Sequence, residues 1–139
     1  MKFFSQFSHM KSNKLVIRIN RPVHDVFLFT ITPPNSARWI PNIIKEETNE
    51  WPVRVGTVYT LQTKSGAVSK VAIDDVRDDE RVEWVSPDRN YHCRYMFQNA
   101  GKNMTELRYH EWVNEGQLEE PFNERTLGTL KSVLENRSA

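Results

Sequence analysis

The chain has 139 residues, which is room for one ordinary domain and not two, and enough to bury about 68–70% of its unfolded surface without staples. Nineteen basic residues against eighteen acidic ones leave a formal charge of +1, so composition gives no electrostatic footprint for nucleic acid or for an anionic membrane. A single cysteine, Cys93, excludes an intrachain disulfide and any zinc site built on several thiolates, and no apolar run approaches the ~18–20 residues of a membrane span.

Residues 1–14 read as a disordered or weakly docked tail. Phe3, Phe4 and Phe7 are separated by Ser5, Gln6 and Ser8, so the continuous apolar stretch of a secretion leader is missing and the expected compartment is the cytoplasm. A single domain is expected over residues 15–137. Leu15, Ile17 and Ile19 alternate with Val16, Arg18 and Asn20, the period of a half-buried strand. Pro22 stops the strand and suits a helix start. Val23, Val26 and Phe27 then fall at helical spacing. Thr32-Pro33-Pro34-Asn35 breaks that helix, and residues 36–40 allow one more turn before Pro41.

The middle of the chain alternates strand patterns with turn signals. Strands are expected over residues 43–49, 57–63, 68–76, 81–86, 91–98 and 104–113. The turns between them are residues 52–56, Lys64-Ser65-Gly66, Asp78-Asp79-Glu80, Pro87-Asp88-Arg89-Asn90 and Gly101-Lys102-Asn103. Short strands joined by tight turns argue for an antiparallel meander. A closing helix is expected from Pro121 to Asn136, about 24 Å long at 1.5 Å per residue. Phe122, Thr126, Leu127, Leu130, Val133 and Leu134 form its apolar stripe. Such a helix is the natural cover for one face of the sheet.

This order, with particular residues in it, resembles the START-like or Bet v 1-like (SRPBCC) superfamily, whose members include polyketide cyclase/dehydrase and Hsp90-ATPase-activator types. The matching residues are Ile19, Pro22, Val26 and Phe27; then Thr32, Pro33, Trp39 and Pro41; then Val55-Gly56-Thr57, Thr105-Glu106-Leu107, and Leu130, Lys131, Leu134 and Glu135 in the closing helix. The resemblance implies an α+β helix-grip domain. A curved antiparallel sheet wraps around the C-terminal helix, short helices follow the first strand, and a cavity lies between sheet and helix. It also implies that Trp39 stands near the cavity entrance; the alternative reading of Trp39 is a structural plug that holds the helical segment to the sheet. One fold hosts many functions, so the site is argued separately.

Alternation assigns the faces of the strands. In the last strand Thr105, Leu107, Tyr109, Glu111 and Val113 are expected inward. Tyr91, Cys93, Tyr95 and Phe97 are the inward set of the strand before it. Tyr59, Leu61, Val71, Ile73, Val82 and Trp84 are inward on earlier strands. The inner face is therefore rich in rings with polar ends, which serve equally as a packed core or as a pocket wall. A carboxylate on that face costs several kcal/mol unless paired or protonated, which makes Glu111 the candidate acid–base residue; its bland alternative is a wetted position near the Asn114-Glu115-Gly116 turn.

The expected function is binding of a small hydrophobic or amphipathic ligand by Trp39, Tyr59, Trp84, Tyr95, Tyr109, Glu111 and Leu130, with no cofactor. Two alternatives remain open. One is a cyclase- or dehydratase-like enzyme that pairs Glu111 with a tyrosine. The other is a protein-interaction module of the Hsp90-activator type, docking through Arg94, Arg108, His110 and Trp112 on the outer face. His92 and His110 lie on neighbouring strands but lack a third ligand at metal spacing. There is no His-Glu-x-x-His, no Gly-x-Ser-x-Gly and no phosphate or dinucleotide loop in the sequence.

Overall fold

The structure, a computed structural model, describes residues 10–136. Strand β1 (Ser12–Ile19) leads into helix α1 (Val23–Ile31) and a 3₁₀ turn (Asn35–Arg38). Six strands follow: β2 (Ile43–Thr48), β3 (Val58–Thr63), β4 (Val68–Arg77), β5 (Arg81–Val85), β6 (Tyr91–Gly101) and β7 (Met104–Val113). Helix α2 (Glu124–Glu135) closes the chain. The seven strands form one antiparallel sheet in the order β1-β7-β6-β5-β4-β3-β2. The sheet curls into a half-barrel, and the architecture is α+β, of the helix-grip kind.

The first strand begins three residues earlier than its apolar alternation indicates. Ser12 pairs with Trp112 and Asn13 with Glu111. Just before the strand, the Met10 carbonyl accepts from Leu118 N–H at 2.9 Å and that of Lys11 from Val113 N–H at 3.0 Å. Asn13 is a polar residue on the inner face, and hydrophobic periodicity cannot register it. Residues 10–14 are thus joined to the sheet, whereas residues 1–9 of the expected tail lie outside the described residues.

The closing helix starts later than expected. Asn123 caps it, its side chain accepting from Thr126 N–H at 3.0 Å, and a local cap of this kind sets a helix start more firmly than proline does. Twelve helical residues span about 18 Å rather than 24. Pro121 and Phe122 precede the helix, and Arg137 lies outside the described residues. Within the helix Thr126, Leu127, Leu130 and Leu134 of the expected stripe are buried and Val133 is half-buried, while Phe122 falls before it. Each fully buried leucine contributes about 1.5–3 kcal/mol.

The alternation within the sheet holds. Thr105, Leu107, Tyr109 and Glu111 are buried along β7, as are Cys93, Tyr95 and Phe97 along β6. The core joins this inner face to Val26 and Phe27 of α1 and to the leucines of α2. Phe27 meets Phe97 edge-on at 5.4 Å. At the β3–β4 hairpin Gly66 has φ 90°, a left-handed conformation that costs glycine nothing.

Candidate functional site

Beyond the N-terminal end of α2 the core is hollow. A partly open cavity of about 540 Å³ lies between β2–β7, the segment after α1 and the chain entering α2. Its wall includes Leu61, Val71, Tyr91, Cys93 and Phe122. Four of the expected ring residues, Tyr59, Trp84, Tyr95 and Tyr109, also line it. They are connected edge-to-face: Tyr59–Trp84 at 5.5 Å, Trp84–Tyr95 at 5.2 Å and Tyr95–Tyr109 at 5.3 Å. Phe122 stacks on Tyr109 at 4.6 Å. Rings in such contact gain about 0.5–1.5 kcal/mol per pair beyond area burial, so they make a stiff floor.

Three expected ligand contacts do not line this space. Leu130 is wholly buried in the core, because α2 packs directly on the sheet over its middle and leaves room only at its start. Trp39 is buried with its ring between Tyr95, at 6.4 Å, and Phe122, at 5.6 Å. It plugs the floor from behind rather than flanking an entrance. Glu111 also sits behind the floor. It is only 2% exposed, so it is not the wetted rim residue that its turn-proximal position allows. One of its oxygens, Oε1, accepts from the Tyr91 hydroxyl at 2.8 Å. The other accepts from Asn13 Nδ2 and from Phe122 N–H, both at 2.9 Å. Asn13 Nδ2 also donates to the Phe122 carbonyl at 2.9 Å. This carboxylate fastens β1, β6, β7 and the start of α2 to one point.

The buried carboxylate that lines the cavity is Glu46 of β2, which sequence reasoning missed; Glu120 also borders the cavity, at its exposed rim. Glu46 is 5% exposed. Among the described residues Ser36 alone serves it, donating from its backbone N–H to Oε1 at 3.0 Å and from its hydroxyl to Oε2 at 2.7 Å. Burial disfavours the charged form and pushes its carboxyl above the ordinary range, while the two Ser36 bonds pull the other way. The sequence hides this residue for a concrete reason. The register shifts between Ile43 and Lys45, a bulge that breaks the period of two, and the surrounding Lys45-Glu46-Glu47 reads as a solvated edge.

Burial keeps the ring hydroxyls and the thiol of the cavity neutral, while the charged Lys70 and Glu120 at its border are exposed. Burial raises the hydroxyls of Tyr59, Tyr95 and Tyr109 and the Cys93 thiol far above their ordinary values. The Tyr59 hydroxyl donates to the Ile31 carbonyl at 2.6 Å. A thiol held protonated in this way is a small hydrophobe, not a nucleophile.

On the outer face the expected docking residues are engaged with one another. Trp112 lies between His92, stacked at 4.8 Å, and His110, at 4.5 Å, with the Arg94 guanidinium 4.9 Å from its ring. Arg94 pairs with Glu83 at 2.8 Å and Arg108 with Glu106 at 2.8 Å. Trp51, by contrast, is exposed. Among the described residues no three His, Cys, Asp or Glu side chains converge as metal ligands, and no helix is long and apolar enough to cross a membrane.

No family model matches the sequence and no curated protein does. Solved structures do match. XoxI from Bacillus cereus aligns at TM-score 0.69 and 10% identity, over 91% of this chain and 97% of that one. The Aha1 dimer from Colwellia psychrerythraea aligns at 0.66 and 15%, over 91% and 98%. The di-domain ARO/CYC BexL from the BE-7585A biosynthetic pathway aligns at 0.61 and 17%, over 91% of this chain and 50% of that one. The chain has the Bet v 1-like (SRPBCC) fold. At these identities the likeness concerns the SRPBCC fold alone, and the use of the cavity has to come from its own residues.

Proposed function

We propose that this SRPBCC-fold protein binds a small hydrophobic or amphipathic molecule in the cavity at the start of α2. The observation that carries the proposal is the cavity of about 540 Å³ bordered by aromatic and aliphatic side chains. Ligand sites commonly enclose about 300–1,000 Å³ with mainly apolar walls and a few placed polar groups. Affinity comes from burial of ligand surface against Leu61, Val71 and the floor of Tyr59, Trp84, Tyr95 and Tyr109, at roughly 25 cal/mol per Å². Orientation comes from Glu46. The roles of Trp39, Leu130 and Glu111 are indirect: Trp39 backs the floor, Leu130 holds α2, and Glu111 holds Phe122 in the wall.

The test is titration with the neutral fluorophore N-phenyl-1-naphthylamine, read by its emission and by native mass spectrometry. Saturable one-to-one binding is expected. Leu61→Trp, which fills the space, is expected to abolish it while far-UV circular dichroism stays unchanged. Binding unaffected by that substitution, or no binding by the unsubstituted protein, defeats the proposal.

A further inference from the structure

Glu46 is a buried acid with an incomplete set of partners. A carboxylate offers about four lone-pair positions, and Ser36 occupies two of them. The nearby Tyr59 hydroxyl is committed to the Ile31 carbonyl. No described cation balances the charge: burial and the two Ser36 bonds account for the state of its carboxyl, and Lys70, which also borders the cavity, is exposed. Removing a carboxylate from water without a counter-charge is costly. Proteins recover such a cost when a ligand supplies the missing cation. The neighbouring rings favour the same partner, since an aromatic face attracts positive charge, and a ligand carboxylate would meet repulsion.

Resting on the reading that the cavity binds a small molecule, we infer that its ligand is an amphiphilic amine: an apolar body on the aromatic floor and a protonated nitrogen on the Glu46 carboxylate. The ammonium takes the two open lone-pair positions, and Ser36 holds the carboxylate from behind. Glu46 is then the residue that determines specificity, and Ser36 positions it.

The experiment compares n-decylamine, n-decanol and n-decanoate by isothermal titration calorimetry at neutral pH. These probes share one apolar tail and differ only in the head group. The expected order is the amine at least tenfold tighter than the alcohol, with the acid weakest. Glu46→Gln keeps the shape and is expected to lower amine affinity to the level of the alcohol while alcohol affinity changes less than twofold. Glu120→Gln at the exposed rim is expected to change neither. Amine no tighter than alcohol on the unsubstituted protein overturns the inference and leaves the cavity reading standing. An equal loss of both probes in Glu46→Gln overturns it too. Failure of all three probes together with N-phenyl-1-naphthylamine defeats the cavity reading itself, and the inference with it. The unsubstituted protein decides between amine and alcohol alone, so a folding defect in Glu46→Gln leaves the question answered.

Discussion

Glu111 and Glu46 are both buried on the inner side of one sheet, and they have opposite surroundings. Glu111 accepts from three groups contributed by β1, β6 and the start of α2. Among the described residues Glu46 accepts only from Ser36, ten residues earlier in the chain, and it borders the cavity. The first carboxylate is part of what holds the fold together. The second is held in place but left electrostatically incomplete. Burial alone therefore does not mark a functional acid; the count of donors around it does, and a site is where that count falls short.

The largest effect is expected at Glu111. In Glu111→Leu the Tyr91 hydroxyl and the Phe122 N–H lose their acceptor inside the protein, and each orphaned group costs about 1–3 kcal/mol. A loss on the order of 3 kcal/mol in urea unfolding is expected, with a smaller loss in Glu111→Gln, whose remaining carbonyl still accepts. A change below about 1 kcal/mol in Glu111→Leu would show that the network contributes little. Tyr91→Phe removes one donor and keeps the ring, so about 1.5 kcal/mol is expected, the usual size for a hydrogen bond to a charged group. The same substitution at Tyr59 tests the floor rather than the network. Its hydroxyl meets only a neutral carbonyl, and about 1 kcal/mol is expected.

The two carboxylates also differ in how far each is legible in the sequence. Glu111 follows from alternation, because β7 is regular along its pairing with β1. Glu46 does not, because the bulge after Ile43 changes which residues face inward and nothing in Lys45-Glu46-Glu47 announces it. The fold was legible from strand periods and turns, since each strand buries one face. Its boundaries were less so. Asn13 is polar yet inward, and Asn123 rather than Pro121 starts α2. The ring residues of the floor were legible by the same alternation. Which of the expected contacts reach open space was not, because that depends on where α2 stands off the sheet. Leu130 lies where it does not, and Trp39 lies behind the floor against Tyr95 and Phe122.

Stability against pH separates the two carboxylates further. The Glu46 carboxyl is raised in the folded protein, so between its unfolded and folded values the folded state binds more protons than the unfolded one. Stability then falls as pH rises through that window. Its contribution is fully present below the ordinary glutamate value near 4.3 and is lost as the carboxyl ionises. Glu46→Gln cannot ionise, so the variant should gain on the unsubstituted protein as pH is raised from about 4 to 7. Urea midpoints for the two proteins that run parallel across this range contradict the argument.

A half-exposed carboxylate supplies the third point and the smallest effect. Asp79, in the β4–β5 turn, receives His24 of α1 at 2.8 Å; the histidine is largely open to solvent and the aspartate half-buried. This bond raises the His24 imidazole above its ordinary value. The sign is that of a base gaining a partner. The stabilisation is present below the ordinary histidine value and disappears as pH climbs through the raised one. Solvent screens such a pair strongly, so Asp79→Asn should leave the urea midpoint within error. It should nevertheless return the His24 titration, followed by NMR, toward its ordinary value. Were Asp79→Asn to destabilise the protein as much as Tyr91→Phe, burial would not be what separates these carboxylates, and the account of Glu46 would lose its physical basis.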